Sequence, residues 1–256
     1  MSPIHMETYG QGKPVVLVHG WAMHSGIWRQ FARRLAERYR VTCVDLPGHG
    51  LSGTIDSFTL SLVCDRLAER LPAQACHWLG WSLGGSVVLE MAGRYPERVT
   101  SIMLLASNPH FIEDHDWPGM AEKQLDAFAG NLAADCRMTL MRFLSLQIKG
   151  LPEFKEFSRQ LRQAVQECAP PDSETLSGGL AVLKQADLRA VLAALDKPVS
   201  VVLGGRDNLV PVALGQAMQN LNPRLQLNII DQAGHVPFLS HQQQVLDAVA
   251  DFLDQQ

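Results

Sequence analysis

Six short, almost continuously apolar runs recur along the chain, at residues 15–18 (VVLV), 41–44 (VTCV), 77–79 (HWL), 102–105 (IMLL), 199–203 (VSVVL) and 225–230 (LQLNII). A strand with one wet face alternates apolar and polar residues, whereas a continuous run marks a strand covered on both faces, as in a parallel sheet. Amphipathic stretches at residues 28–38, 60–71, 86–94, 212–221 and 245–253 lie between or after the runs. This β-α-β alternation predicts an α/β protein with a doubly wound, mostly parallel sheet and right-handed crossovers.

Residues 111–184 interrupt the alternation with helical periodicity, at 125–132, 138–146 and 154–165, and no strand-like run; Pro170-Pro171 and Gly178-Gly179 punctuate the segment. Open α/β sheets bind ligands at the C-terminal edge of their strands, so an insertion of this kind is expected as a helical cap over that edge. The expected organisation is a core of residues 1–110 and 185–256 with a cap of residues 111–184. No internal repeat is present.

At 256 residues and 28.2 kDa, one hydrophobic core suffices: area scaling gives about 11,000 Å² of folded surface against about 41,000 Å² unfolded, a burial of about 73%. The balance of 22 basic and 26 acidic residues argues against a nucleic-acid binder. Cys43, Cys64, Cys76, Cys136 and Cys168 are odd in number and form no CxxC pair. Neither a disulfide framework nor a zinc site is therefore expected, and a reducing compartment is. The opening Met-Ser-Pro-Ile-His has no basic region leading into an apolar one, and no apolar run approaches the ~18 residues of a membrane span. The expectation is a cytoplasmic monomer that associates with neither membrane nor nucleic acid.

Gly80-Trp81-Ser82-Leu83-Gly84 matches G-x-S-x-G. About 0.1 such strings would arise by chance in a chain of this length, so the setting decides its weight. An apolar strand leads in and a helix opening with Gly84-Gly85-Ser86 leads out, the strand-turn-helix context of a nucleophile elbow. The alternative is an ordinary serine capping a helix. A serine hydroxyl is a poor nucleophile at neutral pH and needs a base, itself oriented by a carboxylate. His235 follows the last strand, with Gly234 permitting a sharp turn. His241 begins a helix, His77 sits in a strand, and His5, His24, His110 and His115 hold no strand-end position. Asp207 follows the run at 199–203; Asp231 is the rival, and Asp207 could instead cap the helix after Pro211. The amides of Leu83 and Trp21 are candidates for an oxyanion hole, which acyl transfer requires. The Trp21 side chain is expected against the acyl group and His19 in a structural role. Phe111, Phe128, Phe143 and Leu146 could line a channel for a methylene chain, or could be plain core. No metal or organic cofactor is called for.

The segments HGW (19–21), DLPGHGLS (45–52), GWSLGG (80–85), GGRDNLVP (204–211) and AGHVPFLSH (233–241) resemble the α/β-hydrolase superfamily across nearly the whole chain, and the order Ser82, Asp207, His235 is its triad order. Further stretches, ASNPHF (106–111), DWPG (116–119), RFLSLQ (142–147) and GGLAVLK (178–184) before DLR (187–189), resemble the esterases of biotin synthesis that cleave pimeloyl-acyl-carrier-protein methyl ester. That resemblance implies an α/β-hydrolase fold and a serine carboxylesterase with acyl carrier protein as partner. It also implies substrate contacts by Trp21, Ser82, Leu83, Phe143, Leu144, Ser145, Leu146, Gln147 and His235, and carrier docking by Arg137, Arg142, Lys155 and Arg159. The basic positions depart in part from that family's pattern, with Arg137 and Lys155 as substitutes or neighbours.

Charge supports the same partner independently. Residues 137–162 hold six basic and two acidic residues inside a chain of net charge −4, a cationic patch suited to steering an acidic protein. Lys155, Arg159 and Arg162 share one helical face; a merely solvated face is the competing account. Because fold alone does not set substrate, the alternatives are a broad short-chain esterase, a carbon–carbon hydrolase with the same triad, and a catalytically dead binding module.

Overall fold

A computed structural model describes residues 3–256; Met1 and Ser2, with which the stretch read as leaderless begins, lie outside them. The described residues build a seven-stranded sheet in the order β1-β3-β2-β4-β5-β6-β7, from β1 (Met6–Tyr9), β2 (Pro14–Val18), β3 (Arg40–Val44), β4 (Cys76–Trp81), β5 (Val99–Leu105), β6 (Val199–Gly204) and β7 (Gln226–Ile230). Every neighbouring pair is parallel except β1 with β3. Sequence periodicity did not reveal β1: four residues at the sheet's edge, incompletely covered, need no continuous apolar run.

The helices are α1 (Arg29–Leu35), α2 (Leu60–Arg70), α3 (Leu83–Arg94), α4 (Glu122–Ala134), α5 (Cys136–Gln147), α6 (Phe154–Gln166), α7 (Ser173–Gln185), α8 (Arg189–Ala194), α9 (Leu214–Leu221), α10 (Pro237–Ser240) and α11 (Gln242–Asp254). They cover both faces of the sheet. Val16, Val18, Trp78 and Leu104 point to the core shared with α2 and α3, while Val15, Leu17, Leu79 and Met103 point to the one shared with α1 and α11. Each apolar run thus feeds two cores at once, which is why the runs are continuous. The accessible surface, 10995 Å², agrees with the area expected from mass.

Helices α4 to α7 lie between β5 and β6, in the stretch read as an insertion. Asp135 and Asp172 cap α5 and α7 by accepting from the N–H groups of Met138 and Thr175, replacing partners that a helix start lacks. The inserted helices are tied back to the β2–α1 region by Trp21 Nε1 donating to Leu176 O (2.9 Å), His24 Nε2 donating to Ala164 O (2.6 Å) and a forked Arg29–Glu167 ion pair.

Three sequence boundaries need correction. Residues 25–28 form a 3-10 turn and α1 ends at Leu35, shorter than the stretch 28–38. Helix α3 starts at Leu83, three residues earlier than periodicity suggests, with Gly84 and Gly85 inside it. Gly178 and Gly179, expected as punctuation, lie within α7. A Cβ there would stand 2.7 Å from Phe58 Cβ and 2.5 Å from Trp21 Cδ1, so these glycines permit close helix approach. No helix among the described residues is long and apolar enough to cross a membrane. The five cysteines are unpaired.

Candidate active site

The turn from β4 into α3 places Ser82 at φ 55° and ψ −121°, a conformation costing a non-glycine residue about 1–3 kcal/mol. Its backbone holds that strain through Ser82 N–H donating to Leu105 O (3.0 Å), and through Gly85 N–H (2.9 Å) and Ser107 Oγ (2.8 Å) donating to Ser82 O. Gly80 makes the turn possible, since a Cβ on it would fall 2.2 Å from Gly84 O. The result is a serine side chain projecting from the C-terminal edge of the sheet, almost wholly buried.

His235 Nε2 lies 2.9 Å from Ser82 Oγ, and His235 Nδ1 lies 2.8 Å from Asp207 Oδ2. The carboxylate calls for a proton on Nδ1, which leaves the Nε2 lone pair free to accept the serine hydroxyl. Asp207 Oδ1 accepts from the N–H groups of Leu209 (2.7 Å) and Val210 (3.0 Å), so this aspartate both caps its loop and faces the imidazole. The Asp207 and His235 side chains are 0% and 1% exposed, which strengthens their interaction by excluding water. Asp231 is solvent-exposed, while His77 pairs with Ser101 Oγ and His241 with Ser240 Oγ. His235 is held further by its N–H donating to Gln147 O (3.1 Å) and by Trp81 Nε1 donating to His235 O (2.7 Å).

Leu83 is the first residue of α3, where a backbone N–H has no intrahelical acceptor. Gly20 sits so close to the elbow that a Cβ on it would stand 3.2 Å from Ser82 Cβ, which brings the Trp21 backbone alongside. Behind this loop, His19 Nδ1 donates to Gly20 O and His19 Nε2 accepts from Leu46 N–H. Burial, then the neighbouring His49, lowers the His19 imidazole to about 3, so it serves as a neutral brace. Asp45 accepts from Ser25 N–H (2.6 Å) and Leu51 N–H (2.8 Å), binding the DLPGHGLS turn to the same loop.

Ser82 opens into a cavity of 450 Å³ whose walls include Phe111, Phe128, Phe143 and Leu146. The Trp21 indole stands behind that wall, edge-on to Phe128 and Phe143 with ring centroids 5.5 and 5.0 Å away. The run expected to contact an acyl chain divides by helical phase. Phe143 and Leu146 face the cavity, Leu144 joins the core on the α1/α11 side, and Ser145 Oγ turns back to Met141 O. The Gln147 amide is buried without a hydrogen-bond partner. Arg137, Arg142, Lys155 and Arg159 are exposed on or beside α5 and α6. Arg142 lines an outer crevice with Met138, Ser145, Lys149 and Phe154, and Arg159 is paired with Glu156 at 2.6 Å.

Sequence reasoning overlooked Ser107, the Trp81 indole and the Gln147 carbonyl. A backbone acceptor leaves no residue signature, and Ser107 is one serine among many. Burial raises the Cys43 and Cys64 thiols well above their ordinary range and Cys76 to about 12, so none of these offers a thiolate. No cluster of three or more His, Cys, Asp or Glu side chains able to hold a metal ion occurs among the described residues.

Residues 13–242 match the family model described as alpha/beta hydrolase fold. The chain is 43% identical to the pimeloyl-[acyl-carrier protein] methyl ester esterase of Methylococcus capsulatus over 98% of both chains. It is 41% identical to the esterase of the same name from Nitrosomonas europaea, over 95% of this chain and 97% of that one. Among solved structures, the esterase from Exiguobacterium antarcticum superposes with a TM-score of 0.87 at 22% identity, covering 99% of this chain and 96% of that one. At that identity the likeness speaks for the fold.

Proposed function

The chain belongs to the α/β-hydrolase fold family and, within it, to the pimeloyl-[acyl-carrier protein] methyl ester esterases, and from that premise we propose that it frees pimeloyl-acyl-carrier protein and methanol from the methyl ester using Ser82, His235 and Asp207. It is a carboxylic ester hydrolase by family. The observation that supports this assignment of roles is the continuous Ser82–His235–Asp207 relay, at 2.9 and 2.8 Å, on the wall of a largely apolar cavity.

His235 Nε2 takes the hydroxyl proton as Ser82 Oγ attacks the ester carbonyl. Asp207 holds the imidazole in orientation and stabilises its cation. The amides of Leu83 and Trp21 receive the developing oxyanion, where charge forms and water is scarce. The protonated His235 then delivers its proton to the departing methoxide, forming methanol and an acyl-serine. In the second half, His235 activates a water that attacks the acyl-serine and regenerates Ser82. Phe111, Phe128, Phe143 and Leu146 solvate the methylene chain, and a neutral methyl ester enters such a wall more readily than the carboxylate that leaves it.

The helical insertion serves as a cap whose cations Arg137, Arg142, Lys155 and Arg159 receive the acidic carrier. Long-range charge of this kind raises association rates more than it tightens binding. The test is methanol release from synthetic pimeloyl-carrier methyl ester, with diacid esters of shorter and longer chain alongside. The pimeloyl ester is expected to be the best substrate. Equal rates across chain lengths favour a broad esterase and remove the assignment. In the same assay, Arg142→Glu combined with Arg159→Glu is expected to lower kcat/KM for the carrier-bound ester by about 10–100-fold, with p-nitrophenyl butyrate within about twofold. Equal losses on both substrates would remove the docking role.

A further inference from the structure

The last carbonyls of an α-helix have no intrahelical donors, and the end of α5 together with the turn that follows it, residues 148–150, passes three carbonyls to the loops that carry the acid and the base. Gln147 O accepts from the His235 N–H at 3.1 Å. Lys149 O accepts from Asn208 Nδ2 at 3.1 Å, and Gly150 O from Arg206 Nη1 at 3.4 Å. Asn208 Nδ2 also donates to Arg206 O at 3.2 Å. Arg206 and Asn208 flank Asp207 on either side, so the last residue of α5 and the turn after it grip both halves of the Asp207–His235 pair.

We propose that residues 147–150 form a platform that sets the acid loop and the base loop relative to each other, with Asn208 the positioning residue that locks the acid loop onto it. This deepens the reading of Ser82, Asp207 and His235 as a triad and rests on it. A displacement of 1 Å between catalytic partners can cost about 10²-fold in rate, and both loops lie outside regular secondary structure at the places where the platform holds them. Helix α5 also contributes Phe143 and Leu146 to the cavity wall and carries Arg137 and Arg142 on its exposed side. The helix that meets the carrier and the acyl chain therefore also braces the proton relay, so the insertion takes part in hydrolysing esters too small to reach the docking face.

The experiment compares wild type, Asn208→Ala and Asn208→Asp, the last keeping the side-chain shape while losing both Nδ2 donations. Two readouts are taken: p-nitrophenyl butyrate kinetics and the second-order rate of labelling by a small fluorophosphonate. Both variants are expected to lose roughly tenfold in kcat with KM within about twofold, and to be labelled slower by the same factor, as two lost hydrogen bonds of modest strength imply. Because Asn208 also borders the cavity, it could instead grip substrate. In that case KM rises while labelling keeps its wild-type rate, and the proposal is overturned. It is equally overturned if Asn208→Asp behaves as wild type in both assays. Should Asn208→Ala fail to fold, Arg206→Ala, which removes an exposed donor, is measured in the same way with an expected loss of about threefold in both readouts. Wild-type protein that takes no label at all would remove the triad reading, whereas unchanged labelling of the Asn208 variants removes the platform alone.

Discussion

Replacing Ser82 with alanine is expected to lower kcat for ester hydrolysis by about five to six orders of magnitude and to abolish the fluorophosphonate adduct on the intact protein. His235→Ala is expected to cost nearly as much, because a hydroxyl without its base reverts to a poor nucleophile. Asp207→Asn keeps the shape but no longer requires Nδ1–H on His235, and a loss of about 10⁴-fold is expected. The decisive feature is non-additivity. The Ser82→Ala, His235→Ala double variant should be no slower than the worse single one, since the two side chains act as one unit across their 2.9 Å contact. Losses that multiply, or an adduct that persists in Ser82→Ala, would place the nucleophile elsewhere. On the proposed mechanism, the activity that remains in all variants measures what the Trp21 and Leu83 amides and the cavity contribute without the relay.

Acid is expected to unfold this protein earlier than its carboxylates alone would require. His19 and His49 are fully buried, and burial above all lowers them to about 3 and about 4, against an ordinary value near 6.5. The unfolded chain accepts two protons near pH 6.5 that the folded chain refuses until about pH 4 and below. Stability therefore falls as pH drops through the window from about 6.5 to about 4. His77, also lowered by burial, adds in the same direction. Burial alone would raise the Asp45 carboxyl, but the facing His19 and the N–H groups of Leu51 and Ser25 hold it below its ordinary value. Its contribution is present above about pH 4 and is lost as pH falls through its lowered folded value.

A fully refused proton gives a slope of about 1.4 kcal/mol per pH unit, so unfolding free energies from urea titrations near pH 5.5 should change by about 2–3 kcal/mol per unit. His49→Gln cannot titrate and is expected to halve the part of that slope due to His19 and His49. Its stability at pH 7 also falls somewhat, because the ring packs against His19 and Phe58 at centroid distances of 5.2 and 5.6 Å. A slope unchanged in His49→Gln would show that the acid sensitivity arises elsewhere. This arrangement builds the loops after β2 and β3 on rings that are neutral at pH 7 and destabilised in acid.

The elbow and its partners were readable in the chain because each is announced by position as well as type. Ser82 stands between an apolar run and a glycine-rich helix start, while Asp207 and His235 follow apolar runs immediately, with glycine close by. In a parallel sheet every strand ends on the same edge, so residues 125 and 153 apart from Ser82 are gathered there once the fold class is known. The short edge strand β1 and the six-residue helix α8 escaped notice because neither is long enough to show a period. The glycines of α7 misled for a different reason: their role is set by Phe58 and Trp21, neighbours that no local window contains.

Legible in the chain alone were the sheet class, the candidacy of Ser82, His235 and Asp207 that the fold then brings into contact, and the basic excess within residues 137–162. Alternation, turn chemistry and strand-end position are local properties that survive the loss of three-dimensional context. Folding alone turns Phe143 and Leu146 toward the cavity and Leu144, Ser145 and Gln147 elsewhere. It alone brought the Gln147 carbonyl to the His235 N–H and Asn208 to Lys149 O. The reason is geometric: the direction in which a helix presents each side chain is set by how the whole helix docks, and a backbone carbonyl is the same group in every residue until folding gives it a partner.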